Sequence, residues 1–540
     1  MTTHIDHARI DREVTEYYRY ATFSHKWEDN EPLFENVVRI VVYELEESLT
    51  HDKLRMFCQI VRESGFNWAW SDTCCINKSD HFVLQEALVS MFKWYEGSAV
   101  TIVLLRGVRS PSKRGDLVKS IWNSRAWTLQ EYHASKVVRF YTEDWKPYLD
   151  LDIPNHKESP EIMSEMEEAT GVSARALMGL RPGLDGIRQK LRLASTRQTT
   201  RVEDAAYSLL GIFSMSLGVV YGEGDKALGR FLAQILTSSG DTSILAWTGR
   251  SNSFNSCLPS NIIVFDQLVT TNIPPALEPA EMDKLTARLR SSSLSPTSTM
   301  RLYDRLQELP VPSFVGQRMR LPCIIFKLGR LSASRSALGH VFRAQTSLLG
   351  VVEIRTEEDL SGFGTLYIVH PWIDFLLDRQ PVGSTAEPIP KETTDNRSSS
   401  IGDLPSFSGH SNITSGAMGP RPARFVTPVG PPFNERPPIL HRNTTSLHPL
   451  SEKPLPRLPS FAESLRPPSS LSPTEVQMRA MQVIARLRQP FGALLLTPHL
   501  GNVAAYRRVA AENVITVQVG SITQTKLDKL VDSVRTLDVL

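Results

Sequence analysis

The sequence predicts an α/β protein in three parts. An N-terminal domain is built on a parallel sheet, a helical extension follows, and a β-rich α+β C-terminal domain is broken by a long disordered insertion. Three observations carry this. Between residues 17 and 142, short β-like runs alternate with helical periodicities. Strand–helix alternation at that spacing means crossovers onto a parallel sheet with helices on both faces. From 310 to 377 the text becomes a series of β-like runs, LPCIIFKLG, LGHVFRAQ, LLGVVEIRT and TLYIVHP. Between 381 and 474 it is rich in Pro, Ser, Thr, Gly and Asn, and such a stretch buries too little apolar surface to offset the entropy of ordering.

The elements follow in order. YRYATFS (Tyr18 to Ser24) is a short strand ending in polar residues, and a helix is expected over Leu33 to Leu45. HDKLRMFCQIVRESG places Leu54, Phe57, Cys58 and Val61 on one helical face and stops at Gly65. NWAWS is the second strand, closing on Asp72-Thr73-Cys74-Cys75-Ile76-Asn77. Leu84, Ala87, Leu88, Met91, Phe92 and Tyr95 form a regular amphipathic stripe. AVTIVLL (Ala99 to Leu105) is an apolar run suited to a strand buried on both faces. SRAWTLQE (124–131) reads as one or two helical turns, and KVVRFY (136–141) as a further strand.

Downstream, Thr200-Arg201-Val202-Glu203 has the form of a capping box opening a helix through Ala205, Ala206, Leu209, Leu210 and Phe213. Tyr221-Gly222-Glu223-Gly224 lacks the Lys-Ser/Thr ending of a phosphate loop and reads as a turn leading into a helix. Order returns near Thr474 with a helix, FGALLLTP, AYRRVAA, ENVITVQVG and a closing helix carrying Leu527, Leu530, Val531 and Val534. The divisions are therefore 1–150, 151–250, 251–380, 381–474 and 475–540, the first and second β-rich parts flanking the insertion. A linker between two separate small domains is the alternative.

The chain has 540 residues, too many for a single core. Hydrophobic residues make up 41% and charged residues 22%, with a formal charge of +2. That balance gives no electrostatic reason to expect nucleic acid. No apolar run is long enough to span a bilayer, and MTTHIDHARIDREV is not a secretory signal. Five cysteines argue against a disulfide framework and for a reducing, cytoplasmic location.

Four segments together resemble the heterokaryon-incompatibility domain family of filamentous fungi: YATFSHKWED (20–29), WSDTCCINKSD (70–80), EALVSMFKWYEGSAVTIVLL (86–105) and SRAWTLQE (124–131). TTRVEDAAYSLLGIF and YGEGDKALGRFLAQILTSSGDTSILAW resemble the extension often found after that domain. Ala126 stands where the family often has Gly, Tyr132 to Ser135 replace a more apolar run, and Leu228 replaces a common aromatic. The family is in turn similar to the Toll/interleukin-1 receptor (TIR)-type fold, a flavodoxin-like sheet. Enzymatic members of that wider group cleave NAD with a Glu in an SxWxxxE-like signature. Ser124, Trp127 and Glu131 are the nearest fit here.

The resemblance implies a cell-death or self/non-self recognition effector with Glu131 as catalytic residue and NAD as substrate, not a permanently bound cofactor. Ligands of open parallel sheets lie outside the carboxyl ends of the strands. Ser24, His25, Lys26 and Trp27 follow the first strand; Asp72, Thr73 and Asn77 follow the second; Arg106 follows the third. Ser24, His25, Trp27, Asp72, Arg125 and Trp127 are therefore candidate binding residues. Each has a plainer reading: Glu131 as a solvated helix residue, Trp127 as a core anchor, Asp72 as a cap, His25 as a hydrogen-bonded structural group. Two other functions stay open. One is a non-enzymatic TIR-like module that self-associates and binds protein partners. The other is a cysteine-dependent hydrolase using Cys74 or Cys75 with His25. No Cys-x-x-Cys pair supports a metal site.

Overall fold

The computed structural model describes residues 7–266, 279–290, 294–336, 339–372, 424–425, 473–499 and 502–540. Its first sheet is parallel. Strands β1 (Tyr20–Ser24), β2 (Trp68–Ser71), β3 (Val100–Leu105) and β4 (Val138–Thr142) lie in the order β2-β1-β3-β4. Ala21 sits opposite Ala69 and Val100, and Thr101 opposite Val138. A two-residue strand, Arg424–Phe425, adds to the outer edge of β2, also parallel.

The connecting helices are α1 (His7–Tyr17), α2 (Phe34–Val37), α3 (Leu49–Glu63), α4 (His81–Gly97), α5 (Ile121–Ser124) and α6 (Trp127–Ala134). Ser48 caps α3, and Asp80 caps α4 by accepting from the amides of Phe82 and Val83. Neighbouring residues of a strand face opposite ways. Phe23 accordingly stacks on Phe57 of α3, ring centroids 4.4 Å apart, while Thr22 and Ser24 turn to the other side, toward α6. Helices thus cover both faces. The helix expected over Leu33 to Leu45 is instead the single turn α2 and a 3₁₀ turn at Val42–Glu44. Its run of Val37, Val38, Ile40, Val41 and Val42 is β-branched, and such side chains lose rotamer freedom in a helix.

The helical extension contains α7 (Pro160–Thr170), α8 (Ala174–Gly179), α9 (Ile187–Ser195), α10 (Asp204–Tyr207) and α11 (Lys226–Ser239). One continuous core joins it to the first sheet, from Ala21 through Tyr95 and Leu191 to Phe265. The capping box at Thr200 does not form. α10 starts at Asp204, after Glu203, with no side-chain cap. Glu203 is committed elsewhere: its Oε1 accepts the amides of Gly222 (2.7 Å) and Gly224 (3.0 Å). Both Glu203 and Asp204 are buried, so this is not a surface charge cluster.

The C-terminal strands are β5 (Ser313–Val315), β6 (Arg318–Lys327), β7 (Leu331–Ser336), β8 (Gly339–Thr346), β9 (Gly350–Thr356) and β10 (Tyr367–Pro371). After Arg424–Phe425 (β11) come β12 (Phe491–His499), β13 (Asn502–Val509), β14 (Ile515–Val517) and β15 (Val534–Val539). The pairings β10-β12-β13-β15-β6 return from β6 to β10, closing a ring that is antiparallel except between β13 and β15. β10 and β12 flank the Pro/Ser-rich stretch yet pair directly, Tyr367 opposite Leu496. Both flanks therefore belong to one sheet. The expected disordered insertion at 381–474 lies, apart from 424–425 and 473–474, outside the described residues.

Alternate ring residues divide between two cores. Leu321, Cys323 and Ile325 of β6 join the first, while Ile324 and Phe326 join a second with the helices Pro296–Gln307, Pro473–Leu487 and Gln524–Ser533. This double burial is why β6 and β12 read as continuous apolar runs. No helix among the described residues is long and apolar enough to cross a membrane.

Candidate functional site

The site begins where β1 ends. Ser24 is fully buried; its hydroxyl donates to the Glu131 carboxyl of α6 and accepts from the Trp122 indole at 2.7 Å. α6 is buried on almost every side: Thr128, Leu129, Gln130, Glu131, Tyr132 and Ala134 are all inside. Its polar face is met by a line of hydroxyls. Thr22 and Thr101 bond at 2.7 Å, Thr101 bonds to Ser135, and Ser135 donates to the Glu131 carbonyl at 2.6 Å. Tyr95 of α4 is buried beside Glu131 and donates to the Phe23 carbonyl at 2.9 Å.

Glu131 is 4% exposed. Burial, and then the neighbouring Asp72, raise its pKa to about 8 against the opposing pull of Ser24, Arg125 and Arg197. At neutral pH the carboxyl is mostly protonated. Asp72, just past β2, is also buried and raised by that burial; it accepts from the Trp27 indole at 2.8 Å. Trp27 is 41% exposed, and the Lys78 ammonium lies 3.6 Å from the centre of its ring.

His25 is buried and stacked on Phe23, ring centroids 4.1 Å apart. Neither ring nitrogen has a hydrogen-bond partner; Nε2 stands 3.7 Å from Glu31. Burial, then the charges of Lys53, Arg125 and Lys78, hold its pKa well below the usual histidine range, so the ring is neutral. The Arg125 guanidinium donates to the His25 carbonyl. Arg106 is engaged by Glu28 at 2.7 Å and Glu143 at 3.4 Å. Lys53 is buried against the same Glu28 and Glu31.

The structure thus brings Ser24 and Glu131 into contact, with Asp72, Arg125, His25 and Trp27 around them. It does not bring in Trp127, whose indole donates to Asp204 of the helical extension at 3.1 Å, nor Ser124, whose hydroxyl donates to the Ile121 carbonyl at 2.8 Å. Of that trio only Glu131 reaches β1.

Three participants escaped the sequence reading: Trp122, Tyr95 and Arg197. Trp122 stands in IWNS, immediately before the quoted motif, where its proximity to Glu131 was visible. Arg197 carries no sequence signal. It is buried just past α9, and burial brings its pKa down to about 10. It donates to the Arg125 carbonyl and the Thr128 hydroxyl at 2.9 Å each, and to Asn123 at 3.2 Å. With the backbone bonds Gln198 N to Ser124 O (2.6 Å) and Ala126 N to Gln198 O (2.9 Å), it ties the extension to the segment that opens α6.

Other motifs prove structural in their contacts. The Gly222 and Gly224 amides, which a phosphate would need, are occupied by Glu203. Cys74 and Cys75 are buried, and the Cys74 thiol is held well above its usual range by its hydrogen bond with Cys75 and by burial. Among the described residues no three His, Cys, Asp or Glu side chains gather as metal ligands.

Residues 20–116 match the family model described as heterokaryon incompatibility protein (HET). The match runs from β1 past β3 and stops before α6. The chain is 34% identical over 230 residues to the vegetative incompatibility protein HET-E-1 of Podospora anserina. That alignment covers 40% of this chain and 16% of the relative's length. No solved structure matches. The similarity to the heterokaryon incompatibility family thus lies in the domain that begins at β1.

Proposed function

We propose that this protein is an effector of an incompatibility-type response and that it acts by cleaving NAD at Glu131. One observation carries the reading: the Glu131 carboxyl meets Ser24 at the carboxyl end of β1. β1 lies between β2 and β3, where the strand order reverses, the position at which open α/β sheets receive ligands. The order β2-β1-β3-β4 also supports the flavodoxin-like, TIR-like reading of the sheet.

The chemistry asks little of the protein. The bond between the ribose C1 and the nicotinamide nitrogen breaks, and its electron pair goes to the nicotinamide, which departs neutral. No general acid is needed, unlike ordinary glycoside hydrolysis. A carboxylate facing the cationic sugar stabilises the transition state. Water then adds to C1 and gives up a proton, which the Glu131 carboxylate accepts. Glu131 is mostly protonated in the free protein, and the cationic pyridinium of NAD beside it favours the ionised form. Trp27, which bonds to Asp72, and Arg125 are partly exposed groups of the site, suited to a ring and to a pyrophosphate.

The test is nicotinamide release from NAD by the full chain at high protein concentration. Glu131→Gln keeps the size of the side chain and removes its charge. Release by the parent and none by the variant is expected; no release by folded parent protein overturns the reading.

A second reading, a self-assembling module without catalysis, is favoured by a different observation. Leu33, Val38, Ile40, Val41 and Tyr43 are exposed together between β1 and α3, and Phe82 is 86% exposed at the start of α4. Under that reading Glu131→Gln leaves the cellular response intact, while Ile40→Asp abolishes it. A cysteine-dependent hydrolase draws no support from the buried thiols.

A further inference from the structure

A cavity lies far along the chain from Glu131, between the helical extension and the C-terminal ring. It measures about 850 Å³, within the range of small-molecule sites. One wall is helical, from α8, α9 and the segment 239–247; the other is β, from β10, β12, β13 and the residues leading into β14. Val172, Leu245, Leu494 and Val514 are among its apolar surfaces.

Its charge is uneven. Arg188, Arg192 and Arg508 reach the lining, against the single carboxylate of Asp241. Arg508 is spoken for: its guanidinium donates to the carbonyls of Leu245 (2.9 Å), Trp247 (2.8 Å) and Cys257 (3.3 Å). Arg188 is not. Its Nη1 donates to the Ser243 carbonyl at 2.8 Å, but Nη2 is buried without a partner. The Arg192 guanidinium, one helical turn further along α9, lies over Gly171, so close that a Cβ there would be 3.1 Å from its Nη2. No ion pair holds either arginine among the described residues. His370 lines the opposite wall, with Nδ1 buried and unpartnered; burial lowers its pKa to about 4, so the ring is neutral.

A charged donor left buried and unbonded is destabilising, and an apolar chamber with such a donor is shaped for a ligand that supplies the missing acceptor. We propose that this cavity binds a small amphipathic organic anion, with its carboxylate or phosphate head on Arg188 and Arg192 and its apolar body between Leu245, Leu494 and Val514. Such a ligand bridges the helical extension and the ring. Both arginines belong to α9, which leads directly into Arg197 and so to the segment before Glu131.

The experiment is calorimetric titration of the full chain with decanoate, decyl phosphate and decanol. At least one anion is expected to bind, and at least about tenfold more tightly than the alcohol of the same chain length. The tighter of the two anions identifies the head group. Arg188→Met and Arg192→Met are each expected to weaken the anion by about tenfold or more and leave decanol unchanged. Val514→Trp, which fills the apolar end, abolishes binding of all three; it keeps the test decisive if an arginine variant fails to fold, as judged by its melting curve. Equal affinity for anion and alcohol, an unchanged anion affinity in folded Arg188→Met, undiminished binding in Val514→Trp, or no binding of either anion overturns the proposal. None of these outcomes depends on NAD cleavage.

Discussion

The two sheets of this molecule treat buried charge in opposite ways. The carboxyl end of the parallel sheet hides a carboxyl, Glu131, among Ser24, Trp122, Tyr95 and Asp72, and burial leaves it protonated near neutral pH. The C-terminal ring hides a guanidinium, Arg508, whose donors are spread over three backbone carbonyls and whose plane lies 3.8 Å from the centre of the Trp247 ring. Arg508 keeps its charge because both of its terminal nitrogens are answered by carbonyls; it fastens the ring to the extension. Glu131 gives up its charge because its surroundings answer only part of it. A buried group whose ionisation is so poised is a candidate for chemistry, whereas a fully satisfied one is a fastening.

That contrast is open to attack. The largest effect is expected from Glu131→Gln, which should reduce nicotinamide release by about a thousandfold or more without lowering the melting temperature at pH 8. A variant that keeps its activity removes Glu131 from the catalytic side of the comparison. Next comes Arg508→Met. It leaves the Leu245, Trp247 and Cys257 carbonyls without their donor and should lower stability by about 3 kcal/mol in urea unfolding. It should leave any activity of the folded fraction unchanged. A loss below about 1 kcal/mol would show that water replaces the guanidinium and that Arg508 is not the fastening described.

A third effect is pH dependence. Glu131 has a folded pKa of about 8, above the ordinary carboxylate value of 4.5. Between these values the unfolded chain has lost the proton and the folded one retains it. The contribution of Glu131 is therefore complete below pH 4.5 and falls away as pH rises through 8, by at most about 1.4 kcal/mol per pH unit. Glu131→Gln should remove this slope, read as melting temperature against pH for the two proteins. If the ionised form is the active one, kcat/KM for NAD in the parent rises with pH over the same window. The smallest effect is expected from Trp122→Phe. It takes away the donor that orients Ser24, so nicotinamide release should fall by about tenfold, with the midpoint of the pH profile moved upward.

Much of the parallel sheet could be read from local pattern. β1, β2, β3, α3 and α4 all follow from apolar periodicity and caps near at hand, such as Ser48 and Asp80. The region between Leu33 and Leu45 could not, because its apolar spacing suits a helix while its β-branched side chains resist one. Thr200 to Glu203 has the letters of a capping box, but the amides of Gly222 and Gly224 claim the carboxylate from a distance no local rule senses. At the candidate site, Glu131 and Ser24 were identifiable because each ends or follows a recognisable element. Trp127 fitted the spacing of a motif, yet its side chain answers to Asp204.

By itself, the order of residues determined most strands and helices of the parallel sheet, the similarity of residues 20–116 to a known family, and which polar groups end the strands. These follow from periodicity and from residue chemistry within a few positions. Only the tertiary structure decided that Glu131 is buried and protonated and that Trp122 and Arg197 surround it. The same holds for the directly paired flanks of the Pro/Ser-rich stretch and for the cavity whose Arg188 has one nitrogen bonded and one buried without a partner. Protonation, satisfaction and enclosure depend on groups brought together across the fold, and no window of neighbouring residues contains them.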